Sequence, residues 1–137
     1  MPISQDLRAA RNMDFAPTLN TYYFGAALPL ADASVKMEVR QYPGESGAPA
    51  ASDEEVDFAD ALVGQAVDPA DGVLKDKRCL TLNPSIDKAD LAAMPGISTP
   101  DAGDYQTFSY EIMLIYSDDL RDQLWVGSFI LEPGVVA

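Results

Sequence analysis

The sharpest pattern along the chain is alternation near its end. Phe108, Tyr110, Ile112, Leu114 and Tyr116 share one parity, and Ser109, Glu111, Met113 and Ile115 share the other. Asp118 and Asp119 interrupt the pattern. It resumes with Leu124, Val126, Ser128 and Ile130 against Trp125, Gly127, Phe129 and Leu131. Successive side chains of a strand point to opposite faces, so the segment predicts a β-hairpin turning at the two aspartates. A half-exposed strand shows one polar face, whereas both faces here are largely apolar. The two strands are therefore expected to lie centrally in a sandwich or under a partner, with Tyr110, Ile112, Leu114, Val126 and Ile130 mostly buried.

The same logic places earlier strands. In "ASVKMEVRQYP", Val35, Met37 and Val39 alternate with Lys36, Glu38 and Arg40, and Pro43-Gly44 breaks the run. "APTLNTYYFGAA" is rich in strand formers at Thr18, Thr21, Tyr22, Tyr23 and Phe24, with Gly25 ending or bulging it. "DKRCLTLNPS" sets Arg78, Leu80 and Leu82 against Cys79 and Thr81, and Asn83-Pro84 ends it. "EEVDFADALV" alternates weakly and reads as a strand or a helix. One short helix is expected in "SIDKADLAAMPG", with Ser85 as cap, Asp87 in the first turn and Pro95-Gly96 as the stop, crossing between sheets. "ISTPDAGD" reads as a loop. At the start, Ile3, Leu7, Ala10 and Met13 have helical spacing behind a capping Ser4, which predicts a marginal helix that orders only against a neighbour.

Six or seven short strands with one brief helix imply an all-β, immunoglobulin-like antiparallel β-sandwich with one short helical crossover. The expected division is an N-terminal arm over residues 1–20 and a sandwich over 21–137. A chain of 137 residues is long enough for one such domain and its core.

Charge modifies this picture. Nine Lys and Arg stand against 22 Asp and Glu, a formal net charge of −13. Such a surface repels phosphate backbones, so nucleic-acid binding is not expected. Residues 45–74 carry eight of the acids and no base, which predicts a solvated loop excursion. No apolar run reaches the length of a membrane span, and the first residues lack a secretory apolar segment, so cytosolic synthesis and no membrane partner are expected. The absence of histidine removes the commonest general base and transition-metal ligand.

Three stretches in fixed order, "LPLADASVKMEVRQYPG", "CLTLNPSIDKADLAAMPG" and "GDYQTFSYEIMLIYSDDLRDQLWVGSFILEPGVV", resemble a family of small structural proteins of tailed bacteriophages. The resemblance spans residues 28–136. It departs at Asp32, where a glycine or threonine turn is usual, and in "DYQTFSYEIML", which is longer than the common strand start. It implies an immunoglobulin-like adaptor or accessory subunit of tail, neck or capsid surface, located in the virion. It also implies other virion proteins as partners, a homo-oligomeric or symmetric multi-copy assembly, and no catalytic residue.

Asp53, Glu54, Glu55, Asp57 and Asp60 offer carboxylates to a hard cation such as Ca²⁺, but no loop spacing fits and a solvated face is the stronger reading. Asp118, Asp119 and Asp122 are ordinary turn residues. Cys79, the sole cysteine, lacks a basic partner and reads as a core filler. Nothing singles out a catalytic carboxylate pair. The alternative function is a carbohydrate-binding module, with Trp125, Tyr105, Tyr110 and Phe129 as an exposed platform. No catalytic, cofactor or metal site is expected.

Overall fold

The computed structural model describes residues 2–95 and 103–136. Nine strands and one helix run in the order β1 (Ile3–Ser4), β2 (Leu7–Ala10), β3 (Leu19–Phe24), β4 (Ser34–Arg40), β5 (Ala51–Asp53), β6 (Asp57–Val67), β7 (Leu74–Asn83), α1 (Lys88–Ala92), β8 (Gln106–Ile115) and β9 (Arg121–Glu132). They make two sheets, β1-β9-β8-β4-β5 with β2 also on β9, and β3-β7-β6. All pairings are antiparallel except those of β1 and β2 with β9. The fold is an all-β, immunoglobulin-like sandwich, and α1 lies on the crossover from β7 in one sheet to β8 in the other.

Where alternation is strict, it maps directly onto burial. Val35, Met37 and Val39 of β4 are buried while Lys36, Glu38 and Arg40 face outward, half-buried. On β8, Phe108, Tyr110, Ile112 and Leu114 enter the core, and on β7 so do Leu80 and Leu82. Gly25 ends β3 in the left-handed region (φ 103°), as expected of a residue without a Cβ. Asp119 (φ 67°) closes the β8–β9 turn, where Asp118 Oδ1 accepts from the Leu120 amide at 3.1 Å. The loop expected over 97–104 lies, up to residue 102, outside the described residues, as does Gly96 of the helix stop.

The hairpin's second face departs from expectation. Ile112 pairs with Trp125 but Met113 pairs with Gln123, which leaves Leu124 as the extra residue of a β-bulge. Leu124 and Trp125 are consequently both buried, and from Trp125 onward the core parity is Trp125, Phe129 and Leu131. Val126, expected to be buried, is half-buried on the outer face; Ile130 is buried at 9 % exposure but outside the core cluster. On β8 the outer residues Ser109, Glu111, Met113 and Ile115 are all half-buried rather than covered by another layer.

The N-terminal helix is replaced by strands. Ile3 and Ser4 lie beside Trp125 and Val126, and Leu7 to Ala10 lie beside Phe129 to Glu132. Leu7 joins the core. The spacing that looked helical is satisfied instead by edge pairing to a strand more than a hundred residues away, which supplies the backbone partners an isolated short helix would lack. Arg11 follows, 4 % exposed. Its guanidinium donates to the carbonyls of Leu91 (3.3 Å), Met94 (2.6 Å) and Pro95 (2.9 Å) and to Gln106 Oε1 (3.3 Å). A cation at the carbonyl end of α1 complements the helix dipole. The other end is served by the same segment, because Asp14 Oδ1 accepts from the Lys88 amide at 2.7 Å. Ser85, the expected cap, is not one: Asp87 holds the cap position without a side-chain bond, and the Ser85 amide donates to Asp53.

The acidic middle is exposed, as its composition implies, but it is largely strand. β6 forms a ladder of ten residue pairs with β7, broken by a bulge between Leu62 and Gly64. A ladder satisfies the backbone groups that a long solvated loop would have to leave to water.

Two stability outcomes follow. Leu114 is fully buried, so Leu114→Ala costs about 2–4 kcal/mol as a core truncation; an unchanged thermal midpoint contradicts its placement. Removal of residues 1–14, expected from the sequence to spare the fold, instead strips two strands, Leu7 and the Arg11 clasp. The truncated chain should unfold at markedly lower denaturant, and a midpoint equal to that of the full chain rejects this account.

Candidate interaction surfaces

The N-terminal strand is locked to the large sheet at one point. Between β1 and β2, the Gln5 amide donates to the Val126 carbonyl at 3.0 Å, and the Gln5 carbonyl accepts from Tyr110 Oη at 2.5 Å. The Gln5 carbonyl sits over Gly127, where any Cβ would overlap it. Burial first, and the Asp6 charge second, push the Tyr110 hydroxyl up to about 12. Tyr110 is therefore a structural hydroxyl, not an exposed ring.

The proposed carbohydrate platform does not assemble. Trp125, Tyr110 and Phe129 are buried, and Trp125 Nε1 donates to Thr21 Oγ1 at 2.9 Å between the sheets. Tyr105 alone of the four is exposed. The expected acidic cluster is dispersed among separate partners. Asp53 accepts from the Ser85 and Glu55 amides, Glu54 pairs with Lys36 at 2.9 Å, and Asp60 binds Arg78 Nε at 3.0 Å and Tyr23 Oη at 2.8 Å. Asp122 accepts from Tyr116, whose hydroxyl is pushed up to about 12 by burial and then by that carboxylate. Among the described residues no three His, Cys, Asp or Glu side chains converge as a metal site. Cys79 is half-buried beside Asn20 and Thr81, rather than in the core.

Two surfaces stand out that the sequence did not single out. The first is a groove of about 660 Å³ on the outer face of the large sheet, between the turn after β4 and the outer faces of β8 and β9. Glu38 lies on its floor. Burial acts to raise its carboxyl, but hydrogen bonds from Lys36 and Arg40 outweigh that and hold it below the usual carboxylate range. Arg40 is held in turn by Glu38 (2.8 Å) and by the carbonyls of Glu45 (3.0 Å) and Gly47 (2.7 Å), so the groove's cation is committed internally.

The second surface is β6. It is the outermost strand of its sheet, eleven residues long, and none of its residues is fully buried. Leu62, Val63 and Val67 are each more than half exposed, as is Leu74 across the turn, and Val73 beside it is half exposed. Val67 and Leu74 are cross-strand neighbours in a ribbon that continues past the end of β3, whose last paired residue is Phe24. The tip is stiffened by Lys75, bonded to Asp68 (3.0 Å) and Asp71 (2.7 Å). Those bonds raise the Lys75 pKa and lower that of Asp71. Among the described residues no helix is long and apolar enough to cross a membrane.

Comparison with known proteins adds little to these surfaces. No protein-family model matches the chain, and no curated protein matches it. Among solved structures, the crystal structure of the CupB6 tip adhesin from Pseudomonas aeruginosa is similar at a TM-score of 0.37 and 11% identity. That likeness covers 96% of this chain and 42% of the adhesin, so the chain spans less than half of that structure.

The Tyr110 lock has a pH signature. An unfolded tyrosine titrates near 10. With its folded pKa raised to about 12, the unfolded state loses its proton first, so Tyr110 contributes stability below pH ~10 that is lost as pH rises towards 12. Tyr110→Phe should cost about 1 kcal/mol at neutral pH and flatten the alkaline decline in urea-unfolding free energy. An alkaline slope identical to that of the parent protein rejects the lock.

Proposed function

We propose that the protein is a non-enzymatic structural subunit that works through protein–protein interfaces. In line with the family it resembles in sequence, its place is in a tailed-phage virion, as an adaptor or accessory subunit of the tail, neck or capsid surface. The observation that carries this reading is the apolar exposure concentrated on β6 and the β6–β7 tip. Leu62, Val63, Val67, Val73 and Leu74 lie within thirteen consecutive positions of an otherwise acidic stretch. Exposed apolar surface rimmed by charge is characteristic of a binding surface. The surrounding carboxylates keep the free subunit soluble until a partner covers it. The buried aromatic rings give the carbohydrate-binding alternative no such surface.

The test is direct. Virus particles produced by a genome that encodes this chain are purified, and their protein content is measured by quantitative mass spectrometry. The chain should be present in a fixed copy number per particle and should co-sediment when added back to particles lacking it. Its absence from particles, together with retention on immobilised glycans, overturns the structural reading in favour of the alternative.

A further inference from the structure

We propose that β6 is a self-pairing edge, along which two copies of the chain join antiparallel about a twofold axis at Leu62. The three-stranded sheets then merge into one sheet of six, with two β6 strands at its centre. This names a partner for the exposed strand and rests on the interface reading above for its purpose, but not for its existence.

An open strand edge is a row of unpaired amides and carbonyls that templates another strand, and folded proteins usually shorten, charge or cover such edges. Two of the other edges of this molecule are managed in that way, and β3, the opposite edge of the same small sheet, is open over only six residues. β5 has three residues, and the segment β1–β2 is interrupted at Gln5–Asp6. β6 is the longest open edge, with eleven residues and no charge from Ala61 to Val67.

The charge pattern admits a second copy as the occupant when the two strands run antiparallel. An antiparallel pair centred on Leu62 sets Asp57 opposite Val67, Phe58 opposite Ala66, Ala59 opposite Gln65 and Asp60 opposite Gly64. No carboxylate faces another, and Leu62 meets its own copy. A parallel in-register pair would set Asp57 on Asp57 and Asp60 on Asp60, which is destabilising. Asp60 is in any case held by Arg78 and Tyr23. An isologous contact about a twofold closes at a dimer and does not propagate into a fibre. With each copy at −13, association should strengthen with added salt, the reverse of a contact made by ion pairs.

Sedimentation equilibrium of the full-length chain, at protein concentrations from micromolar upward and at low and high salt, tests this. The mass should rise from 14.7 kDa towards twice that value, more readily at high salt. Leu62→Lys, which brings two cations together on the axis, should remain monomeric with an unchanged melting temperature. Leu120→Lys, at an exposed leucine on the β8–β9 turn, should dimerise like the parent. In a Cys79→Ser background, Leu62→Cys should give a disulfide-linked dimer on oxidation, whereas Val73→Cys should not. A parent protein monomeric under every condition overturns self-pairing, as does a Leu62→Lys variant that still dimerises. A monomer that nonetheless binds virus particles overturns self-pairing alone and leaves the structural function standing, with a different chain on β6.

Discussion

The close approach of the Gln5 carbonyl to Gly127 is the contact on which the large sheet depends. A backbone crossing a backbone at that distance tolerates no Cβ, so position 127 is glycine for steric reasons. The hydroxyl of Tyr110, reaching the same carbonyl, satisfies an acceptor in the break between β1 and β2. With that point fixed, Leu7 enters the core and Arg11 is delivered to the carbonyl end of α1. The chain terminus and the helical crossover are thereby tied to each other. Asp14 and the mutual bonds of Phe15 and Ile86 extend the tie by a few residues.

This arrangement explains which parts of the fold were legible. β4, β7 and β8 bury one face against the opposite sheet, and alternation of residue type records that directly. The N-terminal strands record nothing comparable. Ile3, Ser4 and Leu7 to Ala10 pair with a strand that enters the chain more than a hundred residues later, so their local spacing reflects no local force. β6 was ambiguous for the opposite reason. As an edge strand lacking any fully buried residue, it has no face that must be apolar, and its period fades. The shift of core parity at Leu124 was hidden too, because every residue from Leu124 to Val126 is apolar and a bulge among them leaves no mark in composition.

The candidate surface was less legible than the fold. Hydrophobic residues are densest on the hairpin, and density there reflects the core. Trp125 and Phe129 hold the sheets together; they do not present themselves to a ligand. The informative residues were instead Leu62, Val63 and Val67, modest apolar side chains inside an acidic stretch that composition alone marks as solvated. The contradiction between their type and their surroundings is visible in the sequence. It acquires meaning only once β6 is known to be an edge, because an apolar side chain in a coil and one on an open ladder differ in what they can recruit.

Charge and edge then work as one device. About 20 Å of uncharged ladder would be an aggregation hazard on a neutral protein of this size. Here each copy carries −13, and the long-range repulsion acts on every encounter irrespective of orientation. In the pairing proposed for β6, the antiparallel register keeps carboxylates apart and so adds no short-range repulsion to it. The net charge therefore filters for geometry: it penalises all contacts about equally and leaves the few well-matched ones. For a structural subunit of the kind proposed, that selectivity is more useful than raw affinity.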